Sequence, residues 1–406
     1  MLACLLYLYS DLPLMSALWS VLLRTTLHGR CGLLYIGDGA TARSCFSKMI
    51  KSFKRTALRA GEVFSVSSRV ADSRWRRRRL AILCYHGVAI DDEDQWDPRF
   101  TVSSEILERR LRLLRERSYN VLPLGEAVTR LYAGTLPPRS AAITFDDGCY
   151  DFYHRACPLL RKYDLPATVY LTTFYCYHPK PVFGMFCYYL MWKGRSTFPG
   201  GRLMDLPYEP DLATEAGRME AAADIIASAE KRRLELAEKD AVAEELARQL
   251  GVDYQAVTGR RILQLMRPEE VAELARAGVD IQLHTHRHRT PRDRGLFMRE
   301  IADNRRSIRD ITGSDEGKQH FCYPNGDIAP EFPGWLNEQQ VISATTCKSG
   351  LASPDDNPLL LPRVVDSCGL NEHEFESWVS GVSEAMAIPM RTLGQSAARS
   401  GARAKA

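Results

Sequence analysis

Paired cysteines are missing from this chain. Its eleven cysteines are an odd number, scattered without CxxC pairs or regular spacing. That excludes a disulfide framework and a cysteine-built zinc site. A reduced, cytoplasmic setting is the expectation that follows. Also missing is a long unbroken apolar run. Residues 1–23 are rich in Leu, Met, Trp and Tyr, but Asp11 and Pro13 interrupt them, and no basic residue precedes them as a secretory signal requires. They read as a weak membrane or signal candidate; the other expectation is that residues 1–48 are upstream sequence and the start is Met49. Positive charge is scarce where a nucleic-acid groove needs it. Residues 49–79 hold ten Lys or Arg against Glu62 and Asp72, a local +8, and the first 48 residues add +2, so with +4 for the whole chain residues 80–406 carry −6. Basic character belongs to the leader, and nucleic acid is excluded as a partner. A peripheral contact of residues 49–79 with an anionic membrane is one expectation, a solvated basic helix the other.

With 45% hydrophobic and 26% charged residues, the chain can bury one large core with appendages. Strand and helix signals alternate from residue 80. An apolar strand ends at Tyr85-His86-Gly87. A helix capped by Ser103 or Ser104 runs to about Arg117, with Ile106, Leu107, Leu111 and Leu114 on one face, and a short strand spans 119–122. A second helix covers 126–132, a strand 141–145, a helix 149–163 with Leu159 and Leu160 inward, and a strand 167–172. This rhythm predicts an α/β fold with parallel strands. It breaks at 174–262, an aromatic patch followed by an Ala/Glu/Lys/Arg-rich helical stretch over 212–250 that Gly251 stops, which reads as an ordered insertion whose aromatics form its core. It resumes with a helix opened by Pro268, a strand over 279–283, a helix over 297–311, a strand from His320, and strands over 341–347 and 359–365. The plan is therefore 1–48, a basic leader 49–79, a main domain 80–380 and a disordered tail 381–406. No pattern here sets an oligomeric state.

Two stretches carry chemistry. Thr144-Phe145-Asp146-Asp147-Gly148 ends a buried strand in adjacent carboxylates. Neighbouring side chains on extended backbone point opposite ways, so one acid can bind a cation while the other handles a proton. His284-Thr285-His286-Arg287-His288 packs three of nine histidines into five positions. On a helical turn His284 and His288 share a face; on a strand all three align. Joined to Asp147, either arrangement suits zinc or a similar divalent ion. A third segment, Tyr323-Pro324-Asn325-Gly326, is a turn whose backbone N–H groups can face a substrate oxygen. His86, at a strand end, reads on its own as a structural histidine ahead of a catalyst.

In order, spacing and strand-end placement these motifs resemble the NodB-homology polysaccharide deacetylases, carbohydrate esterase family four, over about residues 80–366. The opening Cys84-Tyr85-His86-Gly87 is similar to the poly-N-acetylglucosamine deacetylase branch. The resemblance implies a distorted (β/α) barrel of about seven strands with the site at the strands' C-terminal ends. It implies Asp147, His284 and His288 as ligands of a divalent metal, zinc ahead of cobalt, nickel, iron or manganese, and Asp146 as general base. Thr285 would support the histidine loop and leave His286 spare. Residues 323–326 would face the substrate and its oxyanion. Two departures matter. No Leu-x-His motif follows His320 to supply an acid, so His86 takes that role by resemblance to the branch. The Arg expected just before the Tyr-Pro turn is Phe321 or Cys322 here, and Arg363 is its expected substitute. The implied activity is removal of N-acetyl groups from an N-acetylated carbohydrate. Hydrolysis of a small non-sugar amide and silent carbohydrate binding are the alternatives.

Overall fold

The computed structural model describes residues 63–314 and 317–386. The expectations for residues 1–48, for the first part of the basic leader and for most of the tail lie outside the described residues. Among the described residues there are ten strands: β1 Ala81–Tyr85, β2 Gly87–Val88, β3 Thr101–Val102, β4 Asn120–Val121, β5 Ser140–Phe145, β6 Thr168–Leu171, β7 Asp280–Leu283, β8 His320–Cys322, β9 Ser343–Ser349 and β10 Leu361–Val365. β1 pairs with β10 on one side and β5 on the other, so β1-β5-β6-β7-β8-β9-β10 closes into a seven-stranded barrel in which every pairing is parallel. The expected barrel is the fold found. Its distortion has a local origin. β4 pairs with Ser140 and Ala141 at the start of β5, while β6 pairs with Thr144 and Phe145 at its end, so two strands share one edge. β2 and β3 form a separate two-stranded ribbon.

The strand period of two sorts side chains into two layers. Leu83, Ile143, Val169, Leu171, Ile281, Leu283 and Phe321 point outward and pack under the helices in the largest apolar cluster. Leu80, Ile82, Ala142, Tyr170, Cys322, Ala352 and Leu361 form a second cluster together with Leu124, Ala127, Val128 and Leu131 of the helix Leu124–Ala133. Continuing that inward alternation brings Cys84 on β1, Thr144 on β5 and Arg363 on β10, with Asp146 just past β5 and His284 just past β7. The chemistry thus lies one or two steps above an apolar layer, at the C-terminal end of the strands.

Differences from the sequence reading have local causes. The stretch 212–250 is two helices, Glu215–Lys231 and Leu236–Gln249, because Arg233 turns left-handed (φ 55°) and the Glu235 N–H donates to the Glu238 carboxylate at 2.7 Å, starting a new helix. The helix expected over 149–163 contains a π-helical turn, Phe152–Ala156, before the α-helix Cys157–Lys162. Pro158, lacking an N–H, sits at that junction. β9 begins two residues later than expected, and Pro358–Leu360 is a 3-10 turn ahead of β10. In the insertion, Phe186, Tyr189, Leu190, Leu246, Leu250 and Ile262 make a separate core, as expected of its aromatics.

The boundary expected at residue 80 falls inside packed structure. The helices Val63–Ala71 and Arg74–Arg77 precede β1 directly, and Arg76 is fully buried. Its guanidinium donates to the Val379 carbonyl (3.1 and 3.0 Å), the Ser140 carbonyl (2.9 Å) and the Arg79 carbonyl (2.5 Å). Burial without a carboxylate in hydrogen-bond contact lowers its pKa to about 10. One arginine of the basic run is therefore a structural tie from the segment before β1 to the helix Glu372–Ser380, while Arg74, Arg77 and Arg78 face solvent. Arg76→Ala leaves those carbonyls unpaired in a void, and urea unfolding is expected to show a loss of about 2–4 kcal/mol. Arg77→Ala is expected to be neutral.

Candidate metal centre and catalytic cluster

The Asp-Asp-Gly turn divides its carboxylates by a sharp change of backbone. Asp146 follows β5, and its N–H donates to the Tyr85 carbonyl at 2.9 Å. Asp147 and Gly148 then take left-handed conformations, φ 69° and 82°. Glycine is required at the second position, since a Cβ there would lie 2.2 Å from Leu171 Cδ1. The turn is pinned by the Thr172 N–H on the Asp147 carbonyl and the Met266 N–H on the Gly148 carbonyl, both 3.0 Å. Asp146 ends inside the barrel and Asp147 at its mouth.

Asp147 Oδ1 lies 3.1 Å from His284 Nε2 and 3.0 Å from His288 Nε2. The segment joining the histidines is neither the helical turn nor the strand weighed above. It is a bend in which Thr285 and His288 are left-handed, φ 61° and 54°. For β-branched Thr285 that conformation costs about 1–3 kcal/mol. Partners on all sides hold it. Thr285 Oγ1 accepts from the Arg289 N–H at 3.1 Å. Asn304 Oδ1 accepts from the His284 N–H (2.9 Å), while Asn304 Nδ2 donates to the Leu171 carbonyl and Thr173 Oγ1. The Glu300 carboxylate accepts from the Arg287 N–H (2.8 Å) and Arg289 Nε (2.8 Å). His286, the spare histidine, pairs with Thr173 Oγ1 at 2.8 Å.

His284 Nδ1 contacts the Cys322 carbonyl at 2.8 Å, which fixes that nitrogen as the protonated one and turns the Nε2 lone pair toward Asp147. Oxygen–nitrogen separations of 3.1 and 3.0 Å are near the edge of about 3.3 Å that a tetrahedral zinc site spans. One carboxylate and two imidazoles, with Asp147 and His288 partly exposed, therefore fit a divalent cation with open positions. Burial pushes the Asp147 pKa up, but His288 and His284 outweigh it and hold the carboxyl well below its usual range.

Asp146 sits beside this triad in a different setting. Arg363, fully buried on β10, grips it with two bonds, Nη1 to Oδ1 and Nη2 to Oδ2, each 2.7 Å, and also donates from Nε to the Thr346 carbonyl at 3.0 Å. Burial alone would raise the Asp146 pKa; the Arg363 charge and hydrogen bonds dominate and hold it far below the usual carboxylate range. Around Oδ2 gather Cys322 Sγ (3.4 Å), His86 Nε2 (3.6 Å) and Cys84 Sγ (3.7 Å). Burial pushes both thiols up, so they remain neutral weak donors. Position 322 does face the acid, but as a thiol, and the guanidinium arrives from β10.

The turn after β8 contributes less than its four residues imply. The Tyr323 side chain is buried, its hydroxyl donating to the Leu359 carbonyl at 3.0 Å, and its N–H is spent on Thr345. Pro324 has no N–H, and the Gly326 N–H closes the turn onto the Tyr323 carbonyl. Asn325, left-handed at φ 57°, is the member whose N–H is not used inside the turn. Asp327 ties this turn to the histidine loop by accepting from Thr290 Oγ1 (3.0 Å) and Arg292 Nη2 (2.5 Å).

Glu300 and Asn304 escaped the sequence reading. Their signal was present: with Phe297, Ile301 and Ile308 they occupy the buried face of the helix Arg294–Thr312, where a polar residue needs a partner.

The sequence profile of the polysaccharide deacetylase family matches residues 133–183 and 242–340, with its break inside the insertion. An Escherichia coli (strain K12) poly-beta-1,6-N-acetyl-D-glucosamine N-deacetylase is 28% identical over 102 residues, 25% of this chain and 15% of the relative. A Staphylococcus aureus (strain MSSA476) protein of the same name is 34% identical over 74 residues, 18% of this chain and 26% of the relative. The aligned stretches thus span about a quarter or less of these relatives. Among solved structures, the Streptococcus pyogenes deacetylase PplD in complex with acetate aligns with 74% of this chain and 98% of its own at 16% identity, TM-score 0.49.

Two outcomes test the geometry. Arg363→Met strands a buried carboxylate, and urea unfolding at pH 7 is expected to show a loss of about 3–5 kcal/mol. Because the pair depresses the folded-state pKa of Asp146, wild type holds this stabilisation above the unfolded carboxylate value of about 3.9 and loses it as pH falls. The gap between variant and wild type should therefore narrow in acid. Asn304→Leu frees the His284 backbone, and chelator competition should report about 10-fold weaker zinc binding.

Proposed function

Since the chain belongs to the polysaccharide deacetylase family, we propose that it is a metal-dependent hydrolase that removes N-acetyl groups from an N-acetylated sugar of a polysaccharide or glycan. The observation that carries this reading is the pairing of two unlike carboxylates: Asp147 among two imidazoles, and Asp146 locked by Arg363 with His86 3.6 Å from its Oδ2. Asp147, His284 and His288 would hold the cation, with zinc the first choice for a set of two imidazoles and one carboxylate, and cobalt, nickel, iron and manganese behind it. When bound, such an ion polarises the acyl oxygen and lowers the pKa of water toward about 7.

The chain's own groups handle the protons. Asp146 accepts one from the attacking water as the carbon–oxygen bond forms. The Asn325 N–H serves the oxyanion. As the carbon–nitrogen bond breaks, its electron pair stays on the sugar nitrogen, and protonated His86 delivers a proton there. Arg363 orients Asp146 and keeps it ionised between turnovers. The proton that Asp146 takes from water passes on to the His86 nitrogen, 3.6 Å from Oδ2. Base and acid are thereby reset as acetate and amine leave. A cytoplasmic, membrane-peripheral location completes the proposal; the unpaired cysteines among the described residues and the exposed Arg74, Arg77 and Arg78 support it, and cell fractionation tests it.

The test is acetate release from a beta-1,6-linked N-acetylglucosamine oligomer, before and after chelation and zinc return. Wild type is expected to lose and regain activity, and Asp146→Asn to lose at least about 10²-fold in kcat while binding zinc with unchanged stoichiometry. No release by a zinc-loaded wild type would shift the assignment to a small amide or to silent carbohydrate binding.

A further inference from the structure

The loop between β1 and β3 begins with His86 and ends with Phe100. The ribbon of β2 and β3 brings these ends together: Gly87 pairs with Thr101, and the Gly87 N–H donates to the Phe100 carbonyl at 3.2 Å. The Phe100 ring lies edge-on to the His86 ring, centroids 5.1 Å apart at 76°, yet is 47% exposed. An exposed apolar side chain alone means little. This one is set apart by its place against the imidazole proposed to protonate the leaving amine.

The loop is also held still. The Tyr189 hydroxyl donates to Asp92 Oδ1 at 2.7 Å, Lys193 Nζ reaches Asp92 (2.7 Å) and Asp91 (3.0 Å), and Arg260 reaches Asp91 at 2.9 Å. Ile90 and Trp96 pack against the insertion's own core, and Trp96 meets Tyr189 edge-on at 5.4 Å. Every one of these anchors comes from the insertion. It therefore clips the middle of a loop whose two ends carry an acid and an aromatic face. Arg99, beside the Phe100 ring, is paired with Asp97 at 3.0 Å, so the local charge is balanced and suits a neutral ligand.

We propose that Phe100 is a sugar-binding platform: the C–H face of a pyranose ring of a neutral N-acetylated oligosaccharide packs on it, setting the acetamido nitrogen against His86. This rests on the deacetylase reading and adds the residue that selects a ring. Aromatic rings supply large apolar contact at low entropic cost, and contacts of this size discriminate by about 10–100-fold.

The experiment has two arms. In the first, steady-state acetate release from a beta-1,6-linked N-acetylglucosamine tetramer is compared for wild type, Phe100→Ala, Phe100→Leu and Phe100→Trp. Alanine and leucine are expected to lower kcat/KM by about 10–100-fold, chiefly through KM, and tryptophan to restore it to within about threefold. In the second, calorimetry measures tetramer binding to zinc-loaded Asp146→Asn with and without Phe100→Ala, where about 10-fold weaker binding is expected. Leucine behaving as wild type, or a loss carried by kcat with KM unmoved, overturns the platform and leaves a structural role. Equal tetramer binding in the second arm overturns it too. If wild type releases no acetate, the deacetylase reading itself falls, an outcome distinct from an active wild type indifferent to Phe100.

Discussion

The buried pair of Arg363 and Asp146 is the constraint to which the rest of the site answers. A carboxylate that close to the barrel interior cannot remain charged unless a cation meets it there, and a guanidinium can do so bidentately. The arrangement ties β5 to β10, the two neighbours of β1, and so stands at the seam where the barrel closes. It also sets the orientation in which Asp146 would take a proton in the proposed reaction. Two neutral thiols, Cys322 at 3.4 Å and Cys84 at 3.7 Å, stand beside Oδ2 without adding charge.

Inward alternation of the strands explains why polar groups converge without unfolding the core. β1, β5 and β10 place apolar residues low in the barrel and Cys84, Thr144 and Arg363 above them, so the cluster rests on a packed layer. The metal-ligand candidates need more than this. Asp147, Thr285 and His288 all occupy left-handed backbone, a cost of the order of a few kcal/mol together, and surrounding hydrogen bonds from Asn304, Glu300 and Arg289 offset it. Strain located at the three-ligand cluster means that its geometry is imposed by the fold rather than by chance proximity.

The adjacent acids and the His284/His288 pair were legible because their spacing has few other uses, and the barrel because strand and helix signals alternate. Arg363 was reachable by asking where a missing guanidinium could come from. Arg76 was not, because a run of like charges reads as solvated on average and conceals the one member that turns inward. The break at 232–235 was hidden for a different reason: Ala, Glu, Lys and Arg favour helix at every position, so no Gly or Pro marks where one helix stops. Glu300 and Asn304 required knowing that their helix face is buried beneath the histidine loop, a long-range fact.

The insertion belongs to that last class. From sequence it interrupts the barrel; in space it reaches back about a hundred residues to Asp91, Asp92 and Trp96. A closed parallel barrel has its reacting groups fixed by strand ends, and selectivity must come from what surrounds its mouth. The clip therefore gives the insertion a physical task. By holding one loop in place, it links the orientation of His86 to the presentation of Phe100. With Phe100 as the proposed platform, a change in the length or packing of the insertion would be felt as a change in which ring is accepted, while the carboxylate, imidazole and guanidinium groups below stay where the strands put them.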